Sequence, residues 1–241
     1  MQAAVFTSPQ HPVEIMEVTL AGPRAGEVRV KIAAAGVCHS DLHVKRGEWD
    51  APAPLVMGHE GSGVVTELGE GVTSLAVGDH VVLSWVPPCG ECRYCKQGHE
   101  ARCQKVATVV APLGVLFDGT SRLSVDGENI HHYLGVSSYA EEVVVPASGA
   151  IKVRDDAPLD VIAVVGCAVA TGVGAVLNTA AVEPGSTVAV IGCGGVGLNV
   201  VQGAKLAGAE RIVAIDVLPE KTQMALQFGA TDRIDGSNGD A

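Results

Sequence analysis

Four cysteines lie within one short segment and constrain what that segment can fold into. Cys89, Cys92, Cys95 and Cys103 are separated by two, two and seven residues. Cysteines two residues apart can turn their sulfurs toward one point, and four thiolates complete a closed tetrahedral Zn²⁺ shell. An iron–sulfur cluster also takes four thiolates, but its common compact run has three residues before the last cysteine. The segment predicts a structural zinc lobe, with an iron–sulfur cluster as the alternative.

The composition indicates a globular protein with a small-molecule partner. A chain of 241 residues with 47% hydrophobic content can build a substantial core and one or two domains. Its net charge of -11, without a run of Lys or Arg, disfavours nucleic acid and anionic membrane surfaces as partners. The first residues lack the pattern of a signal peptide. Seven cysteines, an odd number of mainly clustered thiols, fit a reducing compartment, so we expect a cytoplasmic protein.

The segment 161–182 has no charged residue and is long enough to cross a bilayer. It is built from Ala, Val and Gly with Thr171, Asn178 and Thr179 inside it, so its hydrophobicity is marginal. We therefore predict a buried helix pair or a helix–strand junction rather than a membrane span.

The chain changes character near residue 158. Before it, β-branched runs bounded by Gly or Asp predict short strands at 27–33, 63–68 and 80–84. After it, long Ala, Val and Gly segments predict an α/β arrangement, with a strand at 188–191, a glycine turn and a helix at 198–207. The predicted domains are 1–158, which is rich in β-structure, and 159–241, which is α/β.

The glycine turn has the pattern of a dinucleotide site. Gly192 allows a sharp turn, Gly194 lets the backbone approach a pyrophosphate, and Gly197 permits close packing of helix on strand. Asp216 lies nineteen residues after Gly197, at the end of a strand predicted at 212–215. An acid there can hydrogen-bond ribose hydroxyls and repel a 2′-phosphate, so NAD is favoured over NADP. Lys221 is a further candidate for a ribose contact, or a solvated helix lysine.

These motifs combine with three dispersed ones: Cys-His-Ser-Asp at 38–41, Gly-His-Glu at 58–60 and Gly-Cys at 166–167. In this order, with the cysteine lobe and the glycine turn, the chain resembles the zinc-dependent medium-chain alcohol dehydrogenases over essentially its whole length. The resemblance implies a GroES-like catalytic domain at 1–158. It also implies a Rossmann domain, a doubly wound parallel sheet, of which 159–241 supplies the first half.

The resemblance also implies the chemistry. Cys38, His59 and Cys167 would bind a catalytic zinc, giving two zinc ions per chain, with a fourth position left for the substrate. A primary alcohol would be oxidised to an aldehyde, or the reverse, by hydride transfer to or from NAD. The cofactor contacts that the resemblance implies are His39, Thr171, Gly192, Gly194, Gly195, Val196, Gly197, Asp216 and Lys221.

Further roles near the catalytic zinc follow from the same resemblance. Asp41 would orient His59, as metal-bound histidines require. The proton of the alcohol would pass through Ser40 and the cofactor ribose to His43 at the surface, which suits the pKa range of histidine. Glu60 would lie near the zinc without being a resting ligand.

Three aromatic residues are candidates for the alcohol pocket. Trp49 and Trp85 fall where the family lines that pocket, and bulky walls would favour small alcohols. A tryptophan can equally be a core residue, and that alternative stays open. Tyr133 is the third candidate.

The segment 113–133 resembles the loop of animal-type and glutathione-dependent formaldehyde dehydrogenases, which are the alternative within the family. Those enzymes usually carry an arginine where this chain has Ala107, and they tend to differ at Ser40 and His43. We expect His131 and His132 to be solvated loop residues.

The sequence ends after the first half of a dinucleotide fold, with 233–235 as its third candidate strand. We therefore expect a truncated chain that is poorly active alone, whose strand at 188–191 forms an unpaired apolar edge. A complete chain would form a homo-oligomer. An inactive zinc-binding fragment is a further alternative, whereas a zinc-free quinone or enone reductase is disfavoured by Cys38 and Cys167.

Overall fold

The computed structural model describes residues 1–238 and divides the chain into two compact units, Met1–Gly166 and a second that begins at Cys167. The first unit is built mainly from strands. They are β1 (Gln2–Phe6), β2 (Glu14–Glu17), β3 (Thr19–Leu20), β4 (Glu27–Gly36), β5 (Leu55–Val56), β6 (Glu60–Leu68), β7 (His80–Leu83), β8 (Leu123–Val125), β9 (Glu128–His132), β10 (Glu142–Pro146) and β11 (Ala150–Lys152). Its helices are short: α1 (His39–Lys45), α2 (Arg93–Lys96), α3 (Ala111–Leu113) and α4 (Leu159–Ile162).

The strands of the first unit form two sheets. One has the order β2-β1-β5-β9-β8-β3 and the other the order β10-β4-β6-β7-β11. Val28, Val30, Val65, Val81 and Leu83 are among the buried residues of the second sheet's core. Branched side chains pack well on a pleated surface, which is why the predicted strands at 27–33, 63–68 and 80–84 are present as β4, β6 and β7.

Strand β6 begins earlier than predicted, and glycine is the reason. Gly61 and Gly63 lower the strand propensity of its first residues. In the structure a Cβ on Gly63 would collide with the carbonyl oxygen of Lys31 on β4. The two backbones approach so closely there that glycine is required in place of a β-branched residue.

Within the described residues, the second unit has a parallel sheet of the order β12-β13-β14, three α-helices and a π-helix at Ala175–Thr179. Its elements are α5 (Ala168–Gly174), β12 (Thr187–Ile191), α6 (Gly195–Leu206), β13 (Arg211–Asp216), α7 (Pro219–Phe228) and β14 (Asp232–Asp235). This confirms the predicted series of strand, glycine turn, helix and strand. Within residues 1–238, β12 pairs with β13 alone, and Ile191 on β12 is 84% exposed.

Residues 236–241 carried no helix or strand signal. The structure forms a 3-10 turn at Gly236–Asn238, and the remaining residues lie outside the described part of the chain.

The division between the units falls after Gly166 rather than after residue 158. Helix α4 belongs to the first unit because it packs against β4 and β6, and the Ser62 hydroxyl of β6 donates a hydrogen bond to the Leu159 carbonyl. Gly166 lies so close to β7 that a side chain would collide with the Leu83 carbonyl oxygen.

The uncharged segment 161–182 forms helices, as predicted, but it is not buried throughout. Ala163 and Val176 are buried, whereas Val161 is 63% exposed. Helix α4 packs against β4 and β6 of the first unit. Among residues 1–238 no single helix is long and apolar enough to cross a membrane. One bent pair, Leu159–Gly166 with Ala168–Thr179, meets that test by length and composition.

Candidate functional site

The four lobe cysteines come together as predicted. The sulfur of Cys95 lies 3.5 Å from that of Cys92 and 4.0 Å from that of Cys89, and all four sulfurs lie within 4.8 Å of one another. Four zinc–sulfur bonds of about 2.3 Å place their sulfurs about 3.8 Å apart, so the group fits a tetrahedral shell. The backbone N–H groups of Cys89 and Gln104 donate to the sulfurs of Cys103 and Cys92. Such donors stabilise thiolates, the form that binds metal.

A second group of ligand atoms lies where β4 and β6 meet. One ligand atom from each of Cys38, His59 and Glu60 lies within 4.8 Å of the others. The β4–β6 register pairs Gly36 with Glu60, and α1 starts directly after Cys38. A Cβ on Gly36 would meet the Glu60 carboxylate, so the Glu60 side chain lies directly against this glycine. His59 and Glu60 are 1% and 2% exposed, so this is a buried site with mixed thiol, imidazole and carboxylate donors. Cys167 is the first residue of the second unit, one peptide bond beyond Gly166.

Asp41 holds two members of this group in place. One of its oxygens accepts hydrogen bonds from the Cys38 backbone N–H at 3.0 Å and the Tyr139 hydroxyl at 3.0 Å. The other lies 3.3 Å from Nδ1 of His59. Burial, together with the charge of Asp41, raises the pKa of Tyr139 and keeps its hydroxyl protonated as a donor. A carboxylate at Nδ1 favours the tautomer whose Nε2 can bind a metal. The sequence indicated the role of Asp41 but gave no sign of Tyr139.

Ser40 and Tyr133 also lie beside the group. The Ser40 hydroxyl is 3.7 Å from the Cys38 sulfur, and the buried Tyr133 hydroxyl donates to the Ser40 carbonyl at 3.3 Å. The Tyr133 ring meets the His59 ring edge-on, at 5.6 Å between centroids. The structure therefore brings these two predicted site residues together with Cys38 and His59.

The other predicted residues of the first unit lie further out. His43 is half-buried on α1 and stacks on Trp49, with 4.7 Å between ring centroids. Trp49 itself is 52% exposed. His39 is exposed, and its ring centroid is 6.1 Å from that of His43. Trp85 packs, partly buried, against the core of the five-stranded sheet, as the core alternative for a tryptophan anticipated.

The glycine turn of the second unit has the geometry its sequence predicted. Gly192 has φ of 90°, which favours glycine, and a Cβ on Gly197 would collide with the Gly192 carbonyl oxygen. The carboxylate of Asp216 accepts the N–H groups of Cys193 at 2.7 Å and Leu218 at 3.0 Å. These bonds, in that order, lower the pKa of Asp216 and keep it ionised.

Asp216 also lines a cleft in the second unit. The cleft has a volume of about 400 Å³ and is lined by Ile191, Gly192, Ile215, Asp216, Val217 and Gly236. The charge of Lys221 further lowers the pKa of Asp216. Gly194 caps α6, whose first residues are Gly195 and Val196, and Thr171 is exposed on α5.

The prediction that His132 is a solvated loop residue was wrong. It ends β9, where alternate residues face inward, and both Ile130 and His132 are buried. Its Nε2 accepts the Arg122 backbone N–H at 3.1 Å. His131 is partly exposed, and its Nδ1 lies 3.0 Å from the Leu113 carbonyl oxygen.

Comparison with known proteins agrees with these groups. Residues 24–155 match the alcohol dehydrogenase GroES-like domain, and residues 195–241 match the zinc-binding dehydrogenase domain. The chain therefore belongs to the zinc-dependent medium-chain alcohol dehydrogenase family.

Individual relatives are similar over nearly the whole chain. An S-(hydroxymethyl)glutathione dehydrogenase of Escherichia coli O1:K1 / APEC is 45% identical over 99% of this chain and 65% of its own length. The crystal structure of benzyl alcohol dehydrogenase from Acinetobacter calcoaceticus has a TM-score of 0.92 at 36% identity, over 99% of this chain and 64% of that one. Acetophenone reductase from Geotrichum candidum, solved with NAD, has a TM-score of 0.79 at 31% identity, over 98% and 63%. The chain thus spans about 65% of the length of the curated relatives it matches.

Proposed function

We propose that the protein oxidises a primary alcohol to an aldehyde, or catalyses the reverse reaction, with zinc and NAD as cofactors. The observation that carries this proposal is the group of Cys38 with the buried His59 and Glu60, in which Asp41 holds the Cys38 backbone and the His59 imidazole. A buried cluster of this kind is stabilised when a cation neutralises it.

We propose that Cys167 completes the catalytic ligand set with Cys38 and His59. The chain path through the first unit supports this. Gly166 lies against the Leu83 carbonyl, and Leu83 pairs with Gly61, next to Glu60 at the start of β6. Since consecutive Cα atoms are about 3.8 Å apart, Cys167 leaves the first unit close to that point.

The residues around the group can perform the remaining tasks. A zinc ion held by these residues with one position open would supply Lewis-acid chemistry at the oxygen of the substrate. Asp41 orients His59 for binding, and the buried Tyr133 covers one edge of that ring. We propose that the Ser40 hydroxyl, 3.7 Å from the Cys38 sulfur, takes the first proton from the alcohol and passes it toward His43. Glu60 supplies negative charge next to the ligands.

The second unit supports NAD as the hydride acceptor. Its glycine turn opens α6, whose N-terminus favours a phosphate. Asp216 stays ionised at the end of β13, where its charge disfavours the 2′-phosphate of NADP. The Geotrichum candidum relative was solved with NAD. We propose that His39 and Lys221 add contacts to the cofactor, and that Thr171 and Val196 lie along its nicotinamide end.

Two substrate classes call for direct comparison. We propose a small primary alcohol, in keeping with aromatic residues near the site and with the similarity to a benzyl alcohol dehydrogenase. The second candidate is the thiol adduct of formaldehyde, because an S-(hydroxymethyl)glutathione dehydrogenase is 45% identical. Ala107 offers no cation for the glutathione carboxylate, which favours the first class. We also propose that the active form is a homo-oligomer in the cytoplasm.

Metal analysis with activity measurements tests the proposal. The wild type should contain about two zinc ions per chain, Cys38→Ser and Cys103→Ser about one each, and the control Cys193→Ser about two. The wild type, in its natural full-length form, should reduce NAD with benzyl alcohol or ethanol faster than with formaldehyde and glutathione. If zinc is bound in the lobe but NADH does not bind, the alternative of an inactive zinc-binding fragment would be favoured over the enzyme. Preference for the adduct would select the second substrate class.

A further inference from the structure

The turn after α1 folds a short segment back over His43. Gly47 has φ of 71°, and a Cβ on it would lie 2.9 Å from Pro9, so this position requires glycine. The Glu48 backbone N–H then donates to the His43 carbonyl at 2.9 Å. Lys45 donates to the Pro9 carbonyl at 3.1 Å and anchors the end of the helix. The turn therefore places Glu48 and Trp49, the two residues after Gly47, beside His43.

Both of those residues contact the His43 ring. A carboxylate oxygen of Glu48 is hydrogen-bonded to Nδ1, and the Trp49 indole stacks on the ring with 24° between the planes. The other charged groups nearby are Arg46, 3.9 Å from the second Glu48 oxygen, and His39. Two contacts from one turn hold the imidazole in a single orientation.

This arrangement fixes which nitrogen can receive a proton. Because the ionised carboxylate only accepts hydrogen bonds, Nδ1 of His43 carries the hydrogen when the ring is neutral. Nε2 is then the unprotonated nitrogen, and it makes no hydrogen bond to residues 1–238 of the chain. A ring with this tautomer can take a proton at Nε2 while the Glu48 carboxylate compensates the new positive charge.

We propose that Glu48 is a positioning residue for proton release: it holds His43 in the Nδ1–H tautomer so that Nε2 accepts the proton lost by the alcohol. This inference rests on the proposed function, in which that proton leaves through His43. The proton is taken up at Nε2 and later passes to water, and hydride leaves separately to NAD, so charge and atoms balance. Trp49 then helps to hold the His43 ring by stacking on it, in addition to any contact that it makes with the substrate.

Kinetics of matched variants test the proposal on the natural full-length protein. Glu48→Gln keeps the size of the side chain but removes the charge, and should lower kcat for alcohol oxidation about tenfold or more, with KM and zinc content unchanged. His43→Gln should lose at least as much, and the double variant should lose no more than His43→Gln because both changes act on one step. Glu128→Gln, an exposed glutamate at the start of β9, is the control and should keep full activity. Added imidazole should restore activity to His43→Ala and Glu48→Gln.

A second readout does not depend on turnover. Nitrogen-15 NMR of the histidine rings reports the tautomer of His43 directly, and it should be Nδ1–H in the wild type and shift toward Nε2–H in Glu48→Gln. An active wild type whose Glu48→Gln variant keeps both its kcat and its tautomer overturns the inference alone. A zinc-loaded wild type that oxidises no alcohol overturns the proposed function, and the role of Glu48 with it.

Discussion

Replacing His132 by glutamine should make folding of the first unit less sensitive to acid. His132 is buried, and burial, followed by the charge of Arg122, lowers its pKa from 6.5 to about 3. Between these values the unfolded chain binds a proton at this residue and the folded chain does not. Stability therefore falls as the pH falls from 6.5 toward 3. In His132→Gln, the amide oxygen of the new side chain can accept the same Arg122 N–H without titrating.

The size of the effect follows from proton linkage. One proton bound only by the unfolded state lowers the free energy of unfolding by about 1.4 kcal/mol per pH unit. From pH 6.5 to pH 5.0 the wild type should lose about 2 kcal/mol relative to the variant. Urea unfolding of both proteins at several pH values between 7 and 5, followed by circular dichroism, measures this difference. The other titrating groups are present in both proteins, so their contributions cancel in the difference between the two free energies of unfolding.

The control for this measurement is His11→Gln, at an exposed histidine near the Ser8 hydroxyl. The difference in the free energy of unfolding between His11→Gln and the wild type should not grow as the pH falls, whereas that for His132→Gln should. A wild-type-minus-His132→Gln difference that stays constant from pH 7 to pH 5 would mean that His132 binds a proton in the folded state, and the argument from burial would fail.

Two further predictions concern packing and charge. Arg122→Met should destabilise the first unit by about 3–5 kcal/mol in urea unfolding, because it leaves the buried carboxylate of Glu27 without its partner. The exposed Arg154→Ala variant should unfold like the wild type, and equal effects of the two changes would contradict this. Gly197→Ala should abolish NADH binding measured by fluorescence, since its Cβ has no space in the turn. A Cβ on Gly194 would meet open space, so the Gly194→Ala variant should still fold. If both variants lost secondary structure alike, the argument from the space available to each Cβ would be refuted.

The parts of the site that were predictable from sequence are those whose geometry is local. Cys89, Cys92 and Cys95 are brought together by two short turns, and the turn at Gly192 is specified by its own glycines. In each case the constraint and the residues that satisfy it lie within one motif, so spacing alone predicts the arrangement.

The contacts that the sequence did not reveal join residues far apart in the chain. Glu27 and Arg122 form a fully buried pair, with N–O distances of 2.5 and 2.9 Å, across 95 residues of sequence. Charged residues are usually solvated, so neither would be placed in the core from its type. His132 contacts this pair, because its Nε2 accepts the Arg122 backbone N–H. Its burial follows from the pairing of β9 with β5 and β8. The register of β9 against β5 and β8, which these short strands do not specify locally, determines the position of His132.

Asp41 shows how one residue can link the local and the long-range constraints. Its carboxylate accepts the Cys38 N–H three residues back, which is a local capping interaction that starts α1. The same carboxylate faces His59 across 18 residues and receives the Tyr139 hydroxyl across 98. Because one oxygen of this carboxylate accepts the Cys38 N–H and the other faces the His59 ring, a single side chain positions both residues of the group. One local capping interaction and two long-range contacts therefore converge on Asp41.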